Sequence, residues 1–212
     1  MANAIYPEYK EFLLSASANV SLNVDTVDDG PYVALVDTGI YTYDGAHDFY
    51  SDIHPGASIG TDQRIATPTV ANGTFDGANV TFTAVSGNTV EALVIYRHNA
   101  GADTTWKLVA YIDTSVTGLP VTPNGGDITV TWNASGIFTI SDRRLKENIR
   151  EIGDLHGVLP IYEYNYNGED RVRLGLMAQD VEKLAPDAIM DFGKFKAVDY
   201  ARAIDACVRI AA

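Results

Sequence analysis

Ser141 and Lys146 lie five residues apart, with two arginines, Arg143 and Arg144, between them. A serine hydroxyl is a weak nucleophile unless an adjacent base removes its proton. A lysine can act as that base only when desolvation or nearby cations bring its pKa towards neutrality. The two arginines are cations of this kind. These residue types therefore permit nucleophilic serine chemistry with a lysine as the base.

The spacing of the two residues limits how they can meet. On an ideal helix, five residues place two side chains about 140° apart. Ser141 must then precede the first helical turn, or Lys146 must approach it from another element. The alternative is that Ser141 or Asp142 caps the N-terminus of a helix and that Lys146 is solvated on its surface. The spacing alone favours this second interpretation.

Residues of metal-ligand type occur in two groups before Ser141. Four of them fall within eight positions: His47, Asp48, Asp52 and His54. Three acids at a second place could bind calcium: Asp25, Asp28 and Asp29. No helix or strand is predicted that would align the first group, and the second lacks the spaced ligands of an EF-hand loop. We interpret both groups as polar loop or turn residues and expect no metal ion and no cofactor.

Aromatic residues offer a further candidate surface in the same part of the chain. A sugar-stacking platform could be built from Tyr41, Tyr43, Tyr50 and Trp106. Aromatic side chains near strands, however, more often belong to the core. A pair of carboxylates for glycoside hydrolysis cannot be chosen among the acids without geometry.

The composition changes at Ser141. Residues 1–140 contain 4 Lys and Arg against 15 Asp and Glu, whereas residues 141–212 contain 11 against 13. All 18 threonines and 13 of the 18 glycines lie in residues 1–140. A segment rich in Thr and Gly followed by one rich in charged residues predicts two domains, 1–140 and 141–212, with different secondary structure.

The same composition argues against several partners. Phosphate binding depends on Lys and Arg, which are scarce before Ser141, so we expect no nucleic acid partner. The N-terminus shows no basic stretch followed by an apolar one, and no apolar run approaches about 18 residues, so we expect neither a secretory signal nor a membrane span. The single cysteine, Cys207, permits no internal disulfide.

The first 140 residues have the pattern of a mainly β domain. Pro7 and the residues after it predict a short helix. Half-buried strands are predicted where apolar and polar residues alternate, at residues 20–27, 80–85 and 128–132. Central strands are predicted where the chain is continuously apolar, at residues 32–36, 90–96 and 108–112. With turn residues between them, these strands favour an antiparallel sandwich or a jelly-roll-like fold.

The last 72 residues have the pattern of a small α+β domain. Leu145, Ile149 and Ile152 have helical spacing and predict a helix over residues 144–152. Alternating tyrosines predict a strand over residues 162–166, with residues 171–176 as its hairpin partner. A helix over residues 177–184 should stop before Pro186. Asp199 should cap a last helix, whose apolar side is predicted to contain Ile204, Cys207, Val208 and Ala211.

Four motifs of this segment occur in the order typical of one family. They are S-D-R-R-L-K from Ser141, G-L-M-A-Q-D-V-E from Gly175, Pro186, and V-D-Y-A from Val198. Residues 141–212 thereby resemble the C-terminal intramolecular chaperone and auto-processing domain of phage tailspikes, tail fibres and endosialidases. That domain assists the folding of a homotrimeric virion protein and then cuts itself off.

The resemblance implies a role for individual residues. Ser141 is the nucleophile and Lys146 the base of a self-cleaving serine peptidase that acts once per chain, and the bond Ile140–Ser141 is the one cut. Asp142 and Arg144 match positions that orient the reacting groups. The expected chemistry is an N-to-O acyl shift at Ser141 followed by hydrolysis of the ester.

Residues 1–140 resemble a small β-rich phage virion protein, which transfers no catalytic residue. The leading hypothesis is therefore a bacteriophage structural protein of a tail fibre, tail tip or baseplate, made and assembled in the host cytoplasm as a homotrimer with other virion proteins. A capsid decoration protein that keeps its chaperone domain uncut is one alternative. A module that binds a host receptor or a surface glycan, or a glycan-degrading enzyme, is another.

Overall fold

The computed structural model describes residues 3–15, 17–71, 73–114, 116, 118–134, 136–139, 143–166, 172–192 and 195–211. In this part of the chain the structure is mainly β, with several antiparallel sheets and three α-helices. None of the described helices is long and apolar enough to cross a membrane. Backbone contacts group the residues into two compact units, one of Met1–Val70 and Phe75–Ile137 and one of Ala71–Thr74 and Phe138–Ala212.

The first of these, the N-terminal unit, is built around a five-stranded antiparallel sheet. The strands in the chain up to residue 130 are β1 (Ala4–Ile5), β2 (Gly30–Val36), β3 (Gln63–Arg64), β4 (Thr69–Ala71), β5 (Thr74–Asp76), β6 (Val80–Phe82), β7 (Ala92–His98), β8 (Lys107–Ile112) and β9 (Ile128–Val130). The strand order in the main sheet is β1-β8-β7-β2-β3, and β6 pairs with β9 in a separate ladder. A helix, α1 (Pro7–Leu14), follows β1.

The three central strands agree with the sequence prediction. β2, β7 and β8 are almost continuously buried, and their apolar runs occupy the predicted positions. A strand buried on both faces must be apolar at every position, which is why these runs do not alternate. The predicted helix near Pro7 is confirmed as α1.

The predicted strand at residues 20–27 is wrong, because these residues form no strand and contain only an isolated bridge at Thr26. Side chains of other elements take the carbonyl groups that a neighbouring strand would need. The guanidinium of Arg97, which is buried in β7, donates to the carbonyl of Ser21, and the Tyr9 hydroxyl donates to that of Val20. The alternating pattern here reflects a segment anchored by side chains and not a ladder.

The strands β6 and β9 are shorter than predicted. Residues 80–85 were expected to be extended, yet Ala84 has a φ of 51°, in the left-handed region that strands do not use. The Ala84 amide donates to the Asp127 carboxylate at 2.9 Å, which holds this turn beside the end of β9.

The second, C-terminal unit contains most of the remaining elements. These are β10 (Phe138–Thr139), β11 (Lys146–Leu155), β12 (Leu159–Tyr166), β13 (Arg173–Gly175), α2 (Ala178–Leu184), β14 (Ile189–Phe192), β15 (Phe195–Val198) and α3 (Tyr200–Ala211). One sheet has the order β11-β12-β13, and β14 pairs antiparallel with β15. The core includes Leu159, Leu176, Val181, Ala203 and Cys207.

The predicted helix over residues 144–152 is wrong, because these residues form a 3₁₀ turn at Arg143–Leu145 and then the strand β11. The register against β12 shifts between Glu147 and Arg150, and again between Glu151 and Gly153. Each shift places one extra residue on β11, as in a β-bulge, so the two-residue period of a strand is interrupted. The apolar residues then fall at intervals that imitate a helix.

The other predictions for this unit are largely confirmed. The tyrosine strand is β12, its hairpin partner is β13, and α2 ends before Pro186. Asp199 caps α3, since its carboxylate accepts the Arg202 amide at 3.1 Å.

The predicted apolar side of α3 needs correction. Ala203, Ala206 and Cys207 are buried, whereas Ile204 and Val208 are 43% and 48% exposed. The small side chains allow α3 to approach the core closely, and this leaves the larger apolar residues outside. The predicted boundary between residues 140 and 141 lies outside the described residues and stays a prediction, as does the sandwich or jelly-roll detail.

Candidate functional site

The predicted catalytic residues fall partly outside the described chain. Ile140, Ser141 and Asp142 are not among the described residues. Arg143, Arg144 and Lys146 are described, and they form the 3₁₀ turn and the start of β11. The described part of the site therefore consists of the residues that follow the proposed cleavage bond and of the residues that contact them.

Lys146 is the first residue of β11 and is buried, with 6% of its surface exposed. Its Nζ donates a hydrogen bond to the carbonyl of Leu176 at 2.8 Å and lies 3.8 Å from the centre of the Tyr164 ring. A lysine is rarely buried unless its amine has partners. The alternative in which Lys146 is solvated on a helix is therefore wrong.

The ring that lies under Lys146 is itself closely packed. Tyr164 is buried in β12, and its hydroxyl faces Gly175 of β13. A β-carbon at Gly175 would lie 2.8 Å from the Tyr200 hydroxyl and 3.3 Å from that of Tyr164. The glycine of the second motif is thus required by the close approach of the Tyr164 and Tyr200 hydroxyls, and Tyr164 is the ring that contacts the lysine.

Arg143 is held by a second set of contacts, which we call the Arg143 clamp and which consists of Arg143, Tyr162, Gln179 and Asp180. The Arg143 amide donates to Oε1 of Gln179 at 2.9 Å, and its guanidinium donates to Oδ2 of Asp180 at 2.6 Å. The guanidinium also lies 4.8 Å from the centre of the Tyr162 ring. The Tyr162 hydroxyl completes the set by donating to the same Oδ2 at 2.8 Å.

The charges of the clamp support one another. Burial alone would raise the pKa of Asp180, but hydrogen bonds from Tyr162, Lys183 and Arg143 outweigh it and hold that pKa below its usual value. Burial raises the pKa of the Tyr162 hydroxyl, so it remains a donor. The carboxylate is therefore ionised over the whole physiological range and keeps its hydrogen-bond donors.

The remaining predicted residue, Arg144, is exposed in the 3₁₀ turn, and its orienting role stays a prediction. From the sequence, both arginines are candidates for cations that would favour a neutral lysine. Arg143 does not fit that role well, since its charge is directed at Asp180.

Sequence reasoning missed the partners that hold these residues. Tyr162 and Tyr164 lie two positions apart on β12 and so share a face, one ring under Arg143 and the other under Lys146. Gln179 and Asp180 lie in the second motif. That motif supports the family resemblance, but the sequence alone assigns no catalytic or positioning role to its residues. The order of the motifs and the alternation of the tyrosines were the two features of the sequence that pointed to these partners.

Several of the acids and histidines singled out in the N-terminal unit have structural partners. Oδ2 of Asp52 accepts the amides of Asp48 and Phe49, each at 2.9 Å, and Asp25 pairs with Arg64. Among the described residues there is no group of three or more His, Cys, Asp or Glu that could hold a metal ion.

The predicted aromatic platform is divided between two clusters. Tyr41 is buried, and its hydroxyl bonds to the hydroxyl of Tyr6 at 2.9 Å. Trp106 instead packs against Tyr50 and donates its indole N–H to backbone carbonyls. The four residues do not form a single continuous surface.

Part of the C-terminal unit matches a known family. No curated protein matches the chain. Residues 141–190 match the family model described as the chaperone of endosialidase. The matched range includes Lys146 and every residue of the Arg143 clamp. The match supports the presence of a C-terminal chaperone domain of this family in the chain.

Proposed function

We propose that this protein is a bacteriophage virion structural protein whose residues 141–212 assist the folding of a homotrimer and then cut the bond Ile140–Ser141 once. The observation that carries the proposal is the burial of Lys146, held at its Nζ by the Leu176 carbonyl and the Tyr164 ring, inside the segment that matches the chaperone family. In this proposal residues 1–140 form the β-rich virion domain and residues 141–212 the α+β chaperone domain.

The proposed reaction uses the lysine as a base. The Ser141 hydroxyl oxygen attacks the Ile140 carbonyl carbon while its proton passes to Nζ of Lys146. The C–N bond breaks as the amine takes up a proton, which leaves Ile140 joined to the Ser141 oxygen as an ester. One water molecule then hydrolyses the ester to an Ile140 carboxylate and restores the hydroxyl.

A gel under denaturing conditions tests the cleavage. We expect pieces of 140 and 72 residues from the full chain of 212, with Ser141 as the new N-terminus by mass spectrometry. Ser141→Ala removes the nucleophile and should leave one full-length band. Full-length protein alone from the natural sequence would contradict cleavage, while the chaperone role would remain open to separate measurement.

The virion role and its location are part of the same proposal. In a tail fibre, tail tip or baseplate, a homotrimer would occupy a position with threefold symmetry. The protein would be made and assembled with other virion proteins in the host cytoplasm. Labelling of purified virions with an antibody against residues 1–140 tests this. Label on the tail supports the proposal, and label spread over the capsid would favour a decoration protein.

A further inference from the structure

Arg143 is the first described residue after the proposed cleavage bond, and hydrogen bonds hold both its backbone and its side chain. Its backbone amide is bound by Gln179, and its guanidinium by Asp180. These partners lie 36 and 37 positions away along the chain. Two neighbouring residues of α2 thus hold this part of the backbone through tertiary contacts.

We propose that Asp180 is a positioning residue for the self-cleavage, which it serves by holding Arg143 and thereby the chain that leads back to Ser141. The inference rests on the proposed function. It assigns Asp180 no contact with the reacting atoms.

The first argument is one of reach. An extended chain spans at most about 3.6 Å per residue, so the Cα of Ser141 lies within about 7 Å of that of Arg143. The clamp therefore fixes the point from which two residues of chain lead back to Ser141.

The second argument is that one short segment positions both reacting groups. Leu176 accepts from Nζ of Lys146, and Gln179 and Asp180 bind Arg143, so five consecutive residues set both the base and the chain that carries the nucleophile. The aromatic contacts are arranged in the same way, because Tyr162, under Arg143, and Tyr164, under Lys146, share one face of β12. A misplacement of about 1 Å between reacting groups can slow a reaction about 100-fold.

The third argument concerns charge. Asp180 accepts from Arg143 and Tyr162 at one oxygen and from Lys183 at the other, at 3.2 Å. An ionised carboxylate makes hydrogen bonds about twice as strong as those of a neutral amide. Asp180→Asn keeps the size of the side chain but replaces one oxygen by a donor, so the amide cannot accept at both atoms.

The test is a time course of cleavage after refolding from denaturant, followed on denaturing gels. We expect Asp180→Asn to slow cleavage about 10- to 100-fold, while the cooperative unfolding transition shows that the protein is folded. Asp180→Glu, which keeps the carboxylate, should recover most of the rate. A purely structural loss would follow the unfolding midpoint and would not be rescued in this way.

A matched control exists on the neighbouring strand. Glu163 lies between Tyr162 and Tyr164 on β12 but pairs with Arg150, at 3.1 Å, away from the clamp. Glu163→Gln removes an ion pair of the same unit and should change the cleavage rate less than about twofold, since exposed ion pairs contribute little.

Two further variants make the result decisive. Arg143→Met combined with Asp180→Asn should cleave no more slowly than the slower single variant, because both changes remove the same contact. If Asp180→Asn does not fold, Tyr162→Phe keeps the ring under Arg143 and removes one hydrogen bond to Asp180, and it should still slow cleavage.

The outcomes separate the two proposals. A natural sequence that never cleaves overturns the proposed self-cleavage and this inference with it. A natural sequence that cleaves, with a folded Asp180→Asn variant that cleaves at the same rate, overturns the positioning role alone. Tyr162→Phe cleaving at the natural rate has the same meaning if the asparagine variant is unfolded.

Discussion

At the scale of single residues, the buried amine of Lys146 is the most informative feature of the chain. Lys146 is buried at the start of the C-terminal unit, and a buried amine is tolerated only where it has partners. Its carbonyl and aromatic partners hold Nζ at the start of β11. This arrangement suits a group needed for chemistry near Ser141.

Replacing this lysine should affect both reaction and stability. Lys146→Met fills a similar volume without the amine, so we expect no cleavage. The unpaired Leu176 carbonyl should lower the free energy of unfolding by about 1–3 kcal/mol, as measured by urea titration. Arg209→Met, at a cation that is 68% exposed on α3, is the matched control and should cleave normally with little change in stability.

At the scale of elements, the Arg143 clamp connects the 3₁₀ turn, β12 and α2. Its central carboxylate has a pKa below the usual value for the reasons given above. The stabilisation that Asp180 provides is complete above the ordinary carboxyl pKa of about 3.9, and it is lost as pH falls through the lower pKa of the folded state.

This linkage predicts a difference between two acid titrations. The free energy of unfolding of the Ser141→Ala protein should fall on acidification, and part of that fall should be absent in the double variant with Asp180→Asn. Urea midpoints measured between neutral pH and about pH 3 supply the comparison. Parallel curves for the two proteins would show that Asp180 is not held as the clamp requires.

At the scale of the whole molecule, the proposed homotrimer needs a surface that joins the copies. The side of α3 that faces away from its core carries Ile204 and Val208, one turn apart and 43% and 48% exposed. Exposed apolar residues at helical spacing, in addition to the buried side of a helix, are typical of helices that pack in oligomers.

Light scattering on the Ser141→Ala protein tests the trimer. We expect a mass three times that of the 22.9 kDa chain, and a lower mass for Ile204→Asp combined with Val208→Asp, because buried carboxylates oppose association. Ile152→Asp, at an apolar residue of β11 that is 44% exposed, should leave the mass unchanged. A monomer for the parent protein would count against the chaperone role.

Whether a feature could be predicted from the sequence depends on how local its determining contacts are. The central strands, the β12–β13 hairpin and the cap of α3 depend on neighbouring residues, and the sequence predicted them. β11 was mistaken for a helix because its bulges break the strand period, and residues 20–27 were mistaken for a strand because distant side chains bind their carbonyls. The family motif indicated Lys146 as the base that we propose, but its partner Leu176 lies 30 positions away. No local pattern specifies contacts of that kind.

The burial of Cys207 gives the C-terminal unit a built-in reporter of its own opening. The thiol lies on the side of α3 that faces the core, and burial raises its pKa, so the reactive thiolate is scarce in the native state. Alkylation should therefore proceed only when α3 leaves its site, and no other cysteine contributes to the signal. Labelling rates taken before and after cleavage would show whether cutting the chain loosens the chaperone domain or leaves it intact.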